Sequence, residues 1–131
     1  MRPLLAALGL LAAVVAPAAA SHPLLGPLLT IDPASVQQLA AAGRSMVLID
    51  VRPADAYQHG RLPGARSIPL NALVAHRREI PAEATVILYG AEGVDEAATA
   101  SRYLRTTGHA AVFVLEGGFA GWQARGLAVE R

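Results

Sequence analysis

From residue 31 onward, short apolar runs alternate with stretches of helical spacing. Asp32-Pro33 reads as a cap followed by a first-turn proline; it opens a helix through about Ala42, and Gly43 stops it. Met46-Val47-Leu48-Ile49 is a continuous apolar run, the pattern of a strand buried on both faces. Pro53 to Tyr57 predicts a short helix, Arg66 to Ile68 a short strand closed by Pro69, and Ala72 to Arg78 another helix. Thr85-Val86-Ile87-Leu88-Tyr89 sets β-branched and aromatic residues in series and is the strongest strand signal in the chain. Val94 to Thr107 predicts a long helix with Gly108 as its stop, and Ala111 to Leu115 a last buried strand. Gly117-Gly118 then makes a tight turn into a final helix, Phe119 to Arg125, ending at Gly126. Strands separated by helices imply an α/β domain: three layers, with a central, mostly parallel sheet covered on both faces.

The residues before this body follow a different pattern. Of residues 1–20, 16 are apolar. Arg2 precedes the apolar stretch Leu4 to Val15; Pro17 follows, then Ala18-Ala19-Ala20 before Ser21. A basic start, an apolar middle and small residues before the cut describe a secretory signal peptide over 1–20. The competing reading is a membrane anchor, and the 17-residue run from Leu4 to Ala20 stands at the short limit for a span. Cleavage is the expectation; it gives a periplasmic or secreted protein with no stable membrane anchor. Residues 21–30 (SHPLLGPLLT) hold two prolines and a glycine and read as a linker or an extended N-terminal segment, leaving 31–131 as the domain.

Composition narrows the function classes. The chain has 131 residues, enough for one domain, and 53% of them are apolar, which excludes a disordered chain. There is no cysteine, so a disulfide framework, a thiolate metal site, a lipoprotein anchor and a cysteine nucleophile are all excluded. All 11 basic residues are Arg, against 10 acids. Near-neutral balance gives no reason to expect nucleic acid or an anionic membrane surface. No His-x-x-His or Asp-x-Asp spacing points to a metal, no cofactor motif is present, and Ser67 and Ser101 lack the partners of a hydrolase triad. A monomer is expected.

In an open α/β sheet, ligands bind beyond the carboxyl ends of the strands. Three such ends carry polar or glycine residues: Asp50-Val51-Arg52, Tyr89-Gly90-Ala91-Glu92-Gly93-Val94-Asp95, and Glu116-Gly117-Gly118. In the second, a strand runs through a glycine-bearing loop into a helix, a geometry in which backbone N–H groups converge on one point.

These residues resemble a known family. Asp50-Val51-Arg52, Gly60-Arg61-Leu62-Pro63-Gly64-Ala65 and Ile68-Pro69 look like the first half of a rhodanese domain. Tyr89 with Gly93, the helix after it, and Leu115-Glu116-Gly117-Gly118 with Trp122 and Gly126 look like the second half, so the resemblance covers about 31–131. It implies a sheet of about five strands. It also implies a lineage whose active members move sulfane sulfur from thiosulfate or a similar donor to cyanide or a thiol. The departures matter as much. Active rhodaneses carry a cysteine directly after the tyrosine-ended strand, where this chain has Gly90. Many carry an arginine five positions on and then a serine, where this chain has Asp95 and Glu96; Arg61 replaces a usual histidine. Sulfur transfer needs a polarizable thiolate, which glycine cannot supply.

Gly90 to Asp95 is therefore a degenerate active-site loop with no catalytic residue of its own. Its expected use is binding, by Gly90, Glu92, Gly93 and Asp95, with Arg61 turned toward the mouth. The occupant is a protein partner or a small ligand such as an anionic sulfur compound. The structural reading of the acids is that Asp95 and Glu96 stabilise the first turn of the helix, by about 0.3–1 kcal/mol each. Two functional readings are that they recognise a basic partner or that they bind a cation with a nearby His. Asp50 and Arg52 are expected to form an internal ion pair or loop hydrogen bonds, Trp122 to belong to the core, and His59, His76 and His109 to lie on the surface. The rival function is a sulfurtransferase that holds thiosulfate while an external nucleophile attacks it.

Overall fold

The computed structural model describes residues 21–22 and 26–131. The expected signal segment, residues 1–20, lies outside the described residues. Ser21–His22 (β1) pairs antiparallel with Gly26–Pro27 (β2). The body is a five-stranded sheet of Thr30–Ile31 (β3), Val47–Asp50 (β4), Arg66–Ser67 (β5), Val86–Tyr89 (β6) and Val112–Leu115 (β7), in the order β3-β7-β6-β4-β5. Every pairing in it is parallel. The short outer strands β3 and β5 contribute two residues each, while the three central strands are four residues long and almost wholly buried.

Side chains alternate across the central strands, so each strand feeds two cores. Val86 and Leu88 of β6 and Ile49 of β4 face one cluster, closed by Ala97, Ala100 and Leu104 of Asp95–Thr106 (α4). Ile87, Tyr89 and Leu48 face the other, closed by Val36 of Pro33–Ala41 (α1) and Trp122 of Gly118–Ala124 (α5). Burial on both faces is why these strands read as unbroken apolar runs.

The helix ends follow local chemistry. The Asp32 side chain caps α1 by accepting from the Ser35 N–H, and Pro33 sits in the first turn. That bond holds the Asp32 carboxyl below its ordinary pKa. One helix is shorter than its apolar spacing predicts. Of Ala72 to Arg78, only Leu73–His76 (α3) is α-helical, with tight 3₁₀ turns at 70–72 and 77–79. Ile80 turns inward as buried, extended backbone before Pro81, and a residue before proline is pushed out of the helical region. Among the described residues, no helix is long and apolar enough to cross a membrane.

Chain order sets the site. From β4 the chain goes outward to β5 on one side, and from β6 it goes to β7 on the other. The connections diverge at the carboxyl ends of the adjacent strands β4 and β6, and that divergence opens a crevice.

Candidate functional site

Three segments meet at this crevice: Val51-Arg52-Pro53 after β4, Pro69-Leu70-Asn71 after β5, and the loop 90–94 between β6 and α4. The first two segments and Glu96, just past the loop in α4, line a cavity of about 290 Å³: Val51, Pro53, Pro69, Leu70, Asn71 and Glu96. A wider basin of about 680 Å³ lies at the opposite end of the sheet, among Arg77, Arg78, Glu83, Thr106, Thr107 and His109. It is shallow and faces the amino ends of β6 and β7, whereas the smaller cavity sits where parallel sheets place their ligands.

The β4 end is rigid. Asp50 is fully buried, and Arg52 binds it with two nitrogens: Nη2 stands 2.6 Å from Oδ2 and Nε 3.0 Å from Oδ1. The Arg52 backbone N–H donates to the same carboxylate at 3.0 Å. Nη2 also donates to the Gly60 carbonyl at 2.6 Å, and the guanidinium lies 4.0 Å from the centre of the Phe119 ring. Burial alone would lower the Arg52 pKa, but the bonds to Asp50 outweigh it and raise it. This cation is bound inside the scaffold and offers no charge to the cavity. Beside it, the Tyr89 hydroxyl accepts the Leu62 N–H at 3.2 Å. Burial, with Asp50 close by, pushes the Tyr89 phenol well above its ordinary pKa.

Helix α5 presses on the loop from the other side. The N–H groups of Phe119 and Ala120 donate to the carbonyls of Gly90 and Ala91 at 2.9 and 2.8 Å. The first-turn donors of one helix therefore fix the loop that starts another. This approach needs Gly118: its φ is +59°, and a Cβ there would stand 2.9 Å from both the Glu92 nitrogen and the Gly90 oxygen. The Gly117-Gly118 turn is thus a close packing surface as well as a reversal.

At Gly90, where an active rhodanese would hold its thiol, the space is already filled. A Cβ on residue 90 would lie 2.6 Å from Glu96 Oε1 and 2.9 Å from Glu96 Cβ. Glu96 folds back over the loop, and its Oε1 accepts the Ala91 N–H at 3.1 Å. Glu92, Gly93 and Asp95 are exposed, Val94 is half-buried, and Gly90 is buried. Asp95 opens α4, and its carbonyl accepts from the Thr99 hydroxyl.

The loop residues Gly90 to Asp95 stand together. Arg61 does not join them in contact, which corrects the expectation that it turns toward the mouth. Its guanidinium lies 4.7 Å from the centre of the Tyr57 ring and 3.7 Å from Glu130 Oε2, and its backbone pairs with Glu130 in both directions. The C-terminal segment supplies this partner, 69 positions along the chain. Trp122 is buried, with its indole N–H donating to the Ala128 carbonyl at 2.9 Å. His59 and His76 are exposed, but His109 is buried, a second correction. The ring of His109 lies 2.8 Å from the Ile80 carbonyl through Nε2 and 3.2 Å from the Thr107 hydroxyl through Nδ1, so it is a structural tie. Glu96, expected to stabilise the first helical turn, also lines the cavity. The available signal was a glycine at a strand end with an acid six positions on. Among the described residues, no set of three His, Asp or Glu side chains comes together to hold a metal.

The sequence model of the rhodanese-like domain matches residues 32–125, and the chain belongs to that family. The protein YqhL of Bacillus subtilis is 35% identical over 86 residues, covering 66% of this chain and 68% of that protein. A protein named thiosulfate sulfurtransferase GlpE, from Pseudoalteromonas translucida, is 32% identical over 82 residues, 60% of this chain and 74% of its own length. Among solved structures, the Alr3790 protein from Anabaena sp. superimposes with a TM-score of 0.71 at 28% identity, over 76% of this chain and 79% of that one.

Proposed function

We propose that this protein is an exported rhodanese-like domain without sulfur-transfer chemistry of its own, and that it binds a protein partner at the loop 90–95 and the adjoining cavity. One observation carries the reading: Gly90 provides no nucleophile, and the volume above it is occupied by the Glu96 carboxylate. Glu92 and Asp95 are exposed on the same loop, so the loop presents negative charge, unfavourable to a dianion such as thiosulfate. Export is supported by the leader-like composition of residues 1–20.

The second reading is a sulfurtransferase without its own thiol, favoured by the likeness to a protein named as a thiosulfate sulfurtransferase. In it, cyanide attacks the sulfane sulfur of bound thiosulfate directly; the S–S bond breaks, sulfite leaves and thiocyanate forms. Thiocyanate formation by the purified protein separates the two. The expected rate is that of thiosulfate and cyanide alone, and turnover above a heat-inactivated control would overturn the first reading. The variant Gly90→Cys/Asp95→Arg is the companion sample. Because the carboxylate of Glu96 stands where the new side chain would go, Glu96→Ser is added to make room. Neutralising Glu92, Asp95 and Glu96 together weakens partner binding; unchanged affinity would remove the loop as the binding face.

A further inference from the structure

The cavity at the β4–β6 crevice carries one ionisable group in its wall, and that group is an acid. Val51, Pro53, Pro69 and Leu70 are apolar, Asn71 is neutral, and Glu96 is the only side chain among the lining residues that bears a charge. The nearby cation, Arg52, is held by Asp50 and the Gly60 carbonyl. Glu96 is fixed in place: the Ala91 N–H binds Oε1, and the side chain lies against Gly90. An ionised carboxylate has about four acceptor sites, so one N–H leaves it capacity for more donors. One loop N–H, that of Ala91, is already engaged by this internal anion.

Apolar walls with one fixed carboxylate suit a cationic head on an apolar stem, the form of Lys and Arg side chains, which lay their methylenes along apolar surface. Half-burial of Glu96 strengthens the attraction beyond its value in open water. Glu92 and Asp95, exposed within four residues of Glu96 along the chain, add longer-range attraction for the same sign of charge. Resting on the reading of this loop as a binding face, we infer that the cavity receives a Lys or Arg side chain from a protein partner. Glu96 is the residue that sets the sign of charge accepted.

Amide NMR titration of the full chain tests this with a short capped peptide carrying a central arginine between leucines, beside the same peptide with glutamate and beside thiosulfate. The arginine peptide is expected to shift the amides of Asn71, Ala91 and Glu96 in a saturable way, and the other two probes to leave them still. Glu96→Gln keeps an oxygen for the Ala91 N–H and removes only the charge; it is expected to weaken the arginine peptide about tenfold, or about 1.4 kcal/mol. Glu96→Lys is expected to reverse the preference toward the glutamate peptide. Loop shifts of equal affinity in Glu96→Gln would overturn the role of Glu96 and leave the loop as the binding face. Saturable shifts confined to another face would overturn the binding-face reading itself. Equal response to the two peptides, or none to the arginine peptide, would overturn the assignment of a basic ligand.

Discussion

Replacing Gly90 by alanine tests the packing of the loop most directly. The new methyl would stand 2.6 Å from Glu96 Oε1, 2.9 Å from its Cβ and 3.3 Å from its Cδ. The carboxylate is the far end of a flexible side chain and can swing away, but it then gives up the Ala91 N–H. That bond is solvent-exposed, so its loss costs about 0.5–1.5 kcal/mol. The Glu96 Cβ is tied to the first turn of α4, so the backbone must also shift, and overpacking of this sort costs roughly 1–3 kcal/mol. Gly90→Ala should therefore destabilise by about 1.5–4.5 kcal/mol. At about 3–5 °C per kcal/mol, between the values for smaller and larger domains, the fall in Tm is at least about 5 °C. In a Glu96→Ala background there is no carboxylate to displace and no bond left to lose. There the same substitution should cost at least about 1 kcal/mol less, since only the Cβ–Cβ approach remains. Urea unfolding followed by fluorescence of Trp122, the chain's one tryptophan, reads all four corners of this cycle. Costs that add within about 0.5 kcal/mol would refute the argument that positions 90 and 96 share one space.

Other outcomes follow from the same geometry. Arg52→Met leaves Asp50 buried without its cation and should cost about 3 kcal/mol or more in urea unfolding; a loss below about 1 kcal/mol would show that the pair is not holding the β4 end. The Tyr89 pKa is raised by burial, so its contribution to stability is complete below the ordinary phenol value of about 10 and is lost as pH rises above it toward the folded value. An ultraviolet alkaline titration should then show one of the three tyrosines ionising only as the protein unfolds, and Tyr89→Phe should remove that step. His109→Ala strands the Ile80 carbonyl and should cost about 1–3 kcal/mol in thermal unfolding, whereas His59→Ala on the surface should stay within about 0.5 kcal/mol.

What the sequence determined by itself is what depends on neighbours along the chain. The apolar runs at β4, β6 and β7 mark strands buried on both faces because every residue in them is apolar or aromatic except Asp50. Asp32-Pro33 marks the start of α1 because cap and first turn are adjacent. The family and the missing nucleophile were legible too, since the first is an ordered set of short motifs and the second is the identity of residue 90. The Asp50–Arg52 pair lies two positions apart and needed no knowledge of the fold. Tertiary structure decided the rest. Arg61 bonds to Glu130 because the C-terminal segment runs back across the domain, and His109 is buried because the chain at Ile80 passes over it. Glu96 covers Gly90 because α5 pins the loop through Phe119 and Ala120, turning the first residues of α4 back over the strand end. Strand order and helix docking bring such residues together, and for the Arg61–Glu130 and His109–Ile80 contacts, whose halves lie far apart in the chain, the local pattern carries no signal.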